Sequence, residues 1–148
     1  MVGVEDLDRQ IVSRLAEDGR MSFTDLGRAT GLSTSAAHQR VRRLEQRGVI
    51  RGYRAIVDPE ALGLPLVAFV SIKPVDPAAE DDAPRRLAGI GAIESCYSVA
   101  GDESYILKVR VASPQALEGV LAEIRTAAGV STRTTVVLST PFEDRPVR

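Results

Sequence analysis

The chain has 148 residues, 44% of them hydrophobic, which is enough for one ordinary domain or two small ones with a real core. A single cysteine, Cys96, cannot form an internal disulfide, and a single histidine cannot form a histidine cluster, so disulfide scaffolds and most zinc sites are excluded. The formal net charge of −1 provides no general attraction to nucleic acid, so any such attraction must come from the distribution of charge.

Three helices are predicted in the first half of the chain. Apolar residues recur at four-residue spacing over residues 6–18, with acids in the first turn, which predicts an amphipathic helix. A second, shorter helix is expected to begin at Ser22 or Thr24, whose hydroxyls suit an N-cap, and to end at Gly31, which tolerates a left-handed backbone. A third helix is predicted over residues 33–47, with its first serine as the N-cap. Two helices, a tight turn and a third helix are typical of a helix-turn-helix domain.

Beyond residue 48 the pattern changes to alternation with β-branched residues. Residues 49–57 predict a linking strand, and DPEALG after them is expected to form a turn or a single helical turn. The later elements are expected in the order strand 66–74, helix 82–90, strand 93–100, strand 105–111, helix 114–128 and strand 132–139. This βαββαβ order indicates a ferredoxin-like α+β sandwich, an antiparallel sheet with two helices on one face. The predicted organisation is a helix-turn-helix domain at 1–50, a β linker at 51–64 and the sandwich at 65–148.

The third predicted helix concentrates positive charge. From Ser33 to Arg54 there are six arginines and one acid, Glu45. At 100° per residue, Ala37, Val41 and Leu44 form a buried stripe, so the opposite side presents short donors and amides first and guanidinium groups further along. A helix in a major groove needs this arrangement, because its first side chains reach base edges while arginines hold phosphates. The candidate DNA-binding residues are Ser33, Thr34, Ser35, His38, Gln39, Arg42 and Arg43.

Plainer interpretations of the same helix stay open on spacing and charge alone. Arginine-rich faces are common on solvated helices, so the arginines can be an ordinary surface. His38 has no second histidine and no nearby cysteine, which makes a groove contact or a plain surface position better choices than a metal ligand or a catalytic base.

A hairpin is predicted at VAGDESY, residues 99–105, between two strands. Gly101 is expected there at a positive φ angle, which glycine adopts without steric cost. Acids at a hairpin tip are ordinarily solvated, so Asp102 and Glu103 alone do not establish a ligand site.

Two segments resemble the Lrp/AsnC family, the feast/famine transcription regulators. The first is LDRQIVSRLAEDGRMSFTDLGRATGLSTSAAHQRVRRLEQRGVIRGYRAIVDPEALG at 7–63, and the second is IESCYSVAGDESYILKVRV at 93–111. The resemblance extends from about Asp6 to Leu138. It implies binding of double-stranded DNA, an amino-acid-sensing C-terminal domain and a small-molecule site between subunits. It also implies a homodimer formed through the C-terminal sheets and assembly of these dimers into octameric rings.

The same resemblance places an effector pocket at the predicted hairpin and at the last strand of a facing subunit. The implied effector-binding residues are Ser98, Ala100, Gly101, Asp102, Ser104, Ser131, Thr132 and Thr134, with Arg125 as a weaker candidate. Ordinary β-propensity also explains the threonines. Many family members carry an acid where this chain has Ser104, so a neutral or aromatic amino acid is expected rather than a basic one.

The leading hypothesis is a ligand-responsive transcription regulator that is not an enzyme. For a catalytic alternative, the sequence has no Ser/His/Asp or Cys/His set, no phosphate loop and no metal-ligand cluster. An architectural protein that compacts DNA without a ligand is a third hypothesis. No cofactor, metal or membrane partner is expected. The apolar runs are too short for a bilayer span, so the protein is expected in the cytoplasm, associated with the nucleoid.

Overall fold

The computed structural model describes residues 4–147, which form two compact units. The first unit comprises the described residues up to Ile56 together with the segment from Phe142 onwards, and the second comprises Val57–Pro141. The chain therefore leaves the first unit once and returns to it with its last residues. Within the first unit, Arg54 and Asp144 lie 3.9 Å apart and form an ion pair that joins the linker to the returning segment.

The first unit contains the three predicted helices: α1 (Asp6–Glu17), α2 (Phe23–Thr30) and α3 (Thr34–Gln46). The hydroxyl of Ser22 caps α2 by accepting from the N–H of Asp25, and the hydroxyl of Ser33 caps α3 by accepting from the N–H of Ala36. The core between the helices consists of six buried apolar side chains: Ile11, Leu15, Leu26, Ala37, Val41 and Leu44. The prediction of a three-helix domain is confirmed.

Two glycines shape the turn between α2 and α3. Gly31 ends α2 in the left-handed conformation, with a φ angle of 73°, as predicted. A Cβ atom at Gly27 would lie 2.6 Å from the carbonyl oxygen of Leu32, so only glycine lets the chain turn this closely against α2. This turn fixes the direction of α3 and therefore the side that it presents to solvent.

The segment after α3 does not form the predicted strand. Residues 51–57 have no regular secondary structure, and Ile56 is 88% exposed. A strand needs a neighbour for its N–H and C=O groups, and no strand of the described sheet lies beside this segment. The predicted β linker is therefore wrong for the single chain. The expected turn is present at residues 59–63, where the N–H of Gly63 donates to the carbonyl of Glu60.

The second unit has the predicted βαββαβ order. Its elements are β1 (Leu66–Pro74), α4 (Ala83–Leu87), β2 (Ile93–Ser98), β3 (Tyr105–Val111), α5 (Pro114–Ala128) and β4 (Val130–Val136). The strands form one antiparallel sheet in the order β2-β3-β1-β4, which is the ferredoxin-like arrangement. The predicted fold class is confirmed, and the bounds of β1, β3 and α5 are as predicted.

Three elements differ from their predicted bounds for local reasons. Helix α4 spans only five residues and ends before Gly89 and Gly91, which are poor helix formers. Strand β2 stops at Ser98, because Gly101, with a φ angle of 156°, turns the chain into the hairpin. Strand β4 begins earlier than predicted, directly after the left-handed cap of α5, and it ends where β1 offers no further partner beyond Val67.

The sheet has a buried face and an open face. Alternate residues of β1, such as Ala68, pack in the core with Ile124 of α5. The residues between them point the other way, and there Phe69 is 37% exposed and pairs across the ladder with Lys108. Tyr97 of β2 lies on the same side and is 52% exposed. The open face therefore combines aromatic and charged side chains.

Candidate DNA-binding and effector-binding sites

The seven predicted DNA-binding residues are all exposed and follow the N-cap and outward side of α3. The predicted stripe of Ala37, Val41 and Leu44 is buried on the opposite side. Ser33 also serves as the cap, so its oxygen accepts from the helix backbone while its O–H remains a donor. The positive end of the α3 dipole thus lies beside the short donors of its first turn.

Two arginines of this region are occupied by the fold. Arg40 Nη1 lies 3.0 Å from Asp8 Oδ1 and 3.3 Å from Glu5 Oε2, and Arg47 Nη1 lies 3.9 Å from Asp8 Oδ2. Asp8 is buried, and the hydrogen bonds to Asp8 and then to Glu5 raise the pKa of Arg40 above its ordinary value. These side chains hold α1 against α3. The charge count along the sequence therefore overstates what is available to a partner.

Arg42 and Arg43 differ from them. Both are exposed, and within residues 4–147 neither has an ion-pair partner. Arg51 is likewise exposed and unpaired among the described residues. This division agrees with helix periodicity. Arg40 lies three residues after Ala37, and Arg47 three residues after Leu44, so both border the buried stripe, whereas Arg42 and Arg43 lie outside it.

Two residues of α2, Phe23 and Thr24, also belong to this surface, although no pattern in the sequence of α3 indicates them. The rings of Phe23 and His38 have centroids 4.5 Å apart and an interplanar angle of 42°. The Oγ1 atoms of Thr34 and Thr24 lie 3.3 Å apart, with Thr34 donating. Periodicity within α3 could not reveal these contacts, because they depend on how α2 crosses α3.

The acid of α3, Glu45, has a partner beyond the helix. Tyr53 donates its hydroxyl to Glu45 Oε1 at 3.0 Å, and burial, followed by this hydrogen bond, raises the pKa of Tyr53 to about 12. The contact holds the start of the linker against the end of α3.

The predicted effector residues occupy one end of the sheet, on both of its edges. Ser98, Tyr105, Ile72 and Thr132 form one row of paired residues across β2, β3, β1 and β4. Three strand spacings separate the outer members of this row, a distance of about 14 Å. One chain therefore does not bring Ser98 and Thr132 together.

The hairpin between β2 and β3 bends across this end of the sheet. The N–H of Ser104 donates to the carbonyl of Ile72 in β1 at 2.9 Å, and Glu103 forms an ion pair of 2.6 Å with Arg133 of β4. Gly101 has the predicted positive φ angle, and it is exposed together with Asp102. The structure thus brings the hairpin tip towards β4, through two residues, Glu103 and Arg133, that were not among the candidates.

Two of the β4 hydroxyls have partners in the chain. Ser131 donates to the carbonyl of Lys73 at 3.4 Å, and Thr132 accepts from Arg125 Nη1 at 3.2 Å. Thr134 is half-buried one position further along the same side of the strand. Arg125 thus lies beside the candidate residues, as a weaker member of the set.

A cleft of about 290 Å³ opens between the ends of β1 and α5 and the segment that precedes α4. Of the predicted effector residues, only Ser104 lines it. Its acids are largely paired: the Tyr105 hydroxyl donates to Asp81 at 2.8 Å, and hydrogen bonds from Arg86 and then Arg85 lower the pKa of Asp82. The cleft is therefore a separate feature from the exposed hairpin.

Two further properties concern the described part of the chain, residues 4–147. It holds no group of three or more His, Cys, Asp or Glu side chains placed to bind a metal ion. None of its helices combines the length and the apolar character that crossing a membrane requires.

The first unit is a helix-turn-helix with a cationic outward face, and the second is a ferredoxin-like domain. Together they are typical of DNA-binding regulators that carry a sensing domain. Two family models match this division of the chain. The AsnC-type helix-turn-helix domain matches residues 5–45, and the Lrp/AsnC ligand binding domain matches residues 67–147. The chain therefore belongs to the Lrp/AsnC family of transcription regulators, as its sequence predicted.

Similar proteins agree with this assignment. The HTH-type transcriptional regulator LrpA of Mycobacterium tuberculosis is 56% identical over 96% of this chain and 95% of its own length. The HTH-type transcriptional regulator FL11 of Pyrococcus horikoshii is 34% identical over 96% and 94%. A solved structure of a feast or famine regulatory protein from M. tuberculosis, complexed with L-methionine, is 54% identical, with a TM-score of 0.96 over 98% and 99% of the two chains. Relatives with these names are regulators rather than enzymes, which agrees with the predicted function.

Proposed function

We propose that the outward side of α3 binds double-stranded DNA in a sequence-specific manner and that an amino acid bound between subunits alters assembly or DNA affinity. One observation carries the DNA-binding part. Arg40 and Arg47 are tied to Asp8, whereas Arg42 and Arg43 keep their charge available for an anionic partner.

The roles of the individual residues follow from the order of side chains along α3. Ser35, His38 and Gln39 occupy the first turns and read base edges, since amide and donor groups match the edges of the major groove. Arg42 and Arg43 contact phosphates or guanine. Ser33 and Thr34 lie at the positive helix end, which favours a phosphate.

The test of this interface compares two arginine substitutions that remove the same charge. Arg42→Ala should weaken binding to a selected DNA duplex by about 1 to 3 kcal/mol if the side chain contacts a guanine. Arg14→Ala removes an exposed arginine of α1 and should leave the affinity unchanged. Equal affinities of wild type and Arg42→Ala, at every salt concentration, would contradict the assignment.

The amino-acid site is proposed at the Gly101 hairpin together with Ser98, Ala100, Asp102 and Ser104. The family's ligand-binding domain supports it, as does the methionine complex of a relative. Glu103 already pairs with Arg133, which leaves Asp102 as the unpaired acid of the hairpin among the described residues. A single carboxylate can pair with the one ammonium group of a neutral amino acid. A basic amino acid carries a second cation, for which the hairpin offers no further unpaired acid among the described residues.

The facing residues of this site are proposed to come from β4 of another subunit. Ser131, Thr132 and Thr134 belong to the strand at the opposite edge of the sheet, and Thr132 lies about 14 Å from Ser98 in one chain. If two subunits meet at the edges of their sheets, the Gly101 hairpin of one subunit lies beside β4 of the other. The exposed aromatic side chains of the open face support a homodimer through that face, and the edge contacts extend such dimers to octamers.

Ligand and assembly are tested together on the purified protein. A thermal-shift screen against the twenty amino acids should reveal an effector, because a ligand that binds only the native state raises the melting temperature. Light scattering with and without that amino acid should show at least a dimer and a change of assembly or DNA affinity. A monomer at micromolar concentration, or no response to any amino acid, would contradict this part of the proposal.

The domain limits are proposed at 1–50 and 65–148, with 51–64 as the connecting segment. Residues 51–58 are exposed and lack regular structure, so limited proteolysis should cut there first. Because we propose that it acts on double-stranded DNA, we place the protein in the cytoplasm, associated with the nucleoid.

A further inference from the structure

The contact between Phe23 and His38 is the starting observation. The ring centroids lie 4.5 Å apart at 42°, in the range of favourable aromatic pairs. Phe23 is the first residue of α2, is 38% exposed and does not belong to the buried core of the first unit. An aromatic side chain in this position contributes little to the core, so its contact with His38 needs another explanation.

A second contact joins the same two helices at the adjacent position. Thr34 donates its hydroxyl to Thr24 at 3.3 Å. Thr34 and His38 are four residues apart and therefore lie one above the other on α3, opposite Phe23 and Thr24 of α2. The first turns of α2 and α3 thus form one continuous surface. It lies at the N-terminal end of α3, where the short hydrogen-bond donors are.

We propose that Phe23 is a positioning residue for base recognition by His38. The inference rests on the proposed DNA-binding function and adds a residue of α2 to it. An exposed imidazole on a helix samples several rotamers, whereas packing against the Phe23 ring selects one of them. A fixed imidazole can donate its N–H to an acceptor of one purine in the major groove, which is how side chains there distinguish base pairs.

The experiment measures base-pair discrimination rather than affinity alone. A selection from randomised DNA duplexes with the full chain gives a preferred site, and each position of that site is then changed singly. His38→Ala should reduce discrimination at one position by about tenfold. Phe23→Leu, which keeps an apolar side chain but removes the ring, should reduce discrimination at that same position, with the salt dependence of binding unchanged.

Two further variants separate positioning from a structural role. Phe23→Tyr keeps the ring and should restore the discrimination. The double variant with both Phe23→Leu and His38→Ala should be no worse than His38→Ala alone, because residues that act through one contact are not additive. Melting curves check the fold of each variant, and Phe23→Met replaces the leucine variant if that one is unfolded.

The outcomes also distinguish a failure of the role proposed for Phe23 from a failure of the proposed DNA-binding function. Wild-type discrimination in Phe23→Leu, a uniform loss at all positions, or additive effects in the double variant would overturn the role of Phe23. If the selection enriches no sequence and Arg42→Ala binds DNA as wild type does, the proposed DNA-binding function itself fails.

Discussion

The two candidate sites differ in how much of each is present in a single chain. In the first unit, α3 and its N-cap present all seven candidate residues. Asp8 of α1 binds Arg40 of α3, and Phe23 of α2 packs against His38. In the second unit, the candidates occupy two edges of a sheet, and the hydroxyls of Ser131 and Thr132 already have partners within the chain. A site carried by one helix can thus be complete in one chain, whereas a site shared by subunits is visible only in part.

The largest effect is expected from a substitution in the hairpin that disrupts the effector site and leaves the DNA-binding helices intact. Gly101→Val places a β-branched residue at a φ angle of 156°, which costs about 1–3 kcal/mol in the hairpin. We expect the effector to bind at least tenfold more weakly in calorimetric titrations, while α1, α2 and α3 remain folded.

Gly89→Val is the matched control for this variant. A side chain at Gly89 meets open space, and its φ angle is not positive. It should therefore bind the effector as wild type does. Equal affinities of Gly101→Val and wild type would place the pocket away from the hairpin.

The next effect concerns the arginines that support the first site. Arg40→Ala leaves the buried carboxylate of Asp8 with Arg47 alone, at 3.9 Å, and should lower the free energy of unfolding by about 1–3 kcal/mol. Urea denaturation measures this loss. Arg42→Ala should leave the unfolding free energy unchanged, because it has no such partner among the described residues. An Arg40→Ala variant that is as stable as wild type but binds DNA more weakly would contradict the proposal that Arg40 supports the fold and Arg42 binds DNA.

The sequence predicts those features that depend on residues close together in the chain, and it fails where a feature needs a distant partner. The helices of the first unit and their caps were predicted, because the capping hydrogen bonds of Ser22, Ser33 and Gly31 reach no further than four residues along the chain. The strand predicted at 49–57 does not form, since alternation marks residues suited to a strand but cannot supply a neighbouring strand.

The sites show the same limit. The outward residues of α3 follow from its periodicity, but the ion pair of Arg40 with Asp8 joins residues 32 positions apart. The ion pair of Glu103 with Arg133 depends on the bend of the hairpin, which no local pattern predicts.

A smaller effect is expected at alkaline pH, at the end of α3. The pKa of Tyr53 is raised to about 12, so the folded state favours the neutral phenol. Its stabilisation is present below the unfolded pKa of about 10 and is lost as the pH rises towards the folded value. Tyrosinate absorbance should show a late-titrating tyrosine that disappears in Tyr53→Phe and shifts to lower pH in Glu45→Gln. An unchanged titration in both variants would contradict the contact.

The smallest effect concerns the contact that holds the hairpin. Arg133 is largely exposed, so its ion pair with Glu103 should contribute less than about 1 kcal/mol to global stability. Arg133→Ala should nevertheless increase hydrogen exchange in residues 99–104, because local opening responds to local contacts. Unchanged exchange in this segment would show that the bend does not depend on the ion pair.

The salt dependence of DNA binding tests the central claim most directly, namely that the unpaired arginines of α3 contact the DNA backbone or bases. For wild type and the Arg42→Ala/Arg43→Ala double variant, the logarithm of the binding constant is measured against the logarithm of salt concentration. If these arginines contact phosphates, binding should weaken and the slope should become shallower by roughly 0.9 for each phosphate that the variant no longer neutralises. The same affinity and the same slope in both proteins would contradict the account.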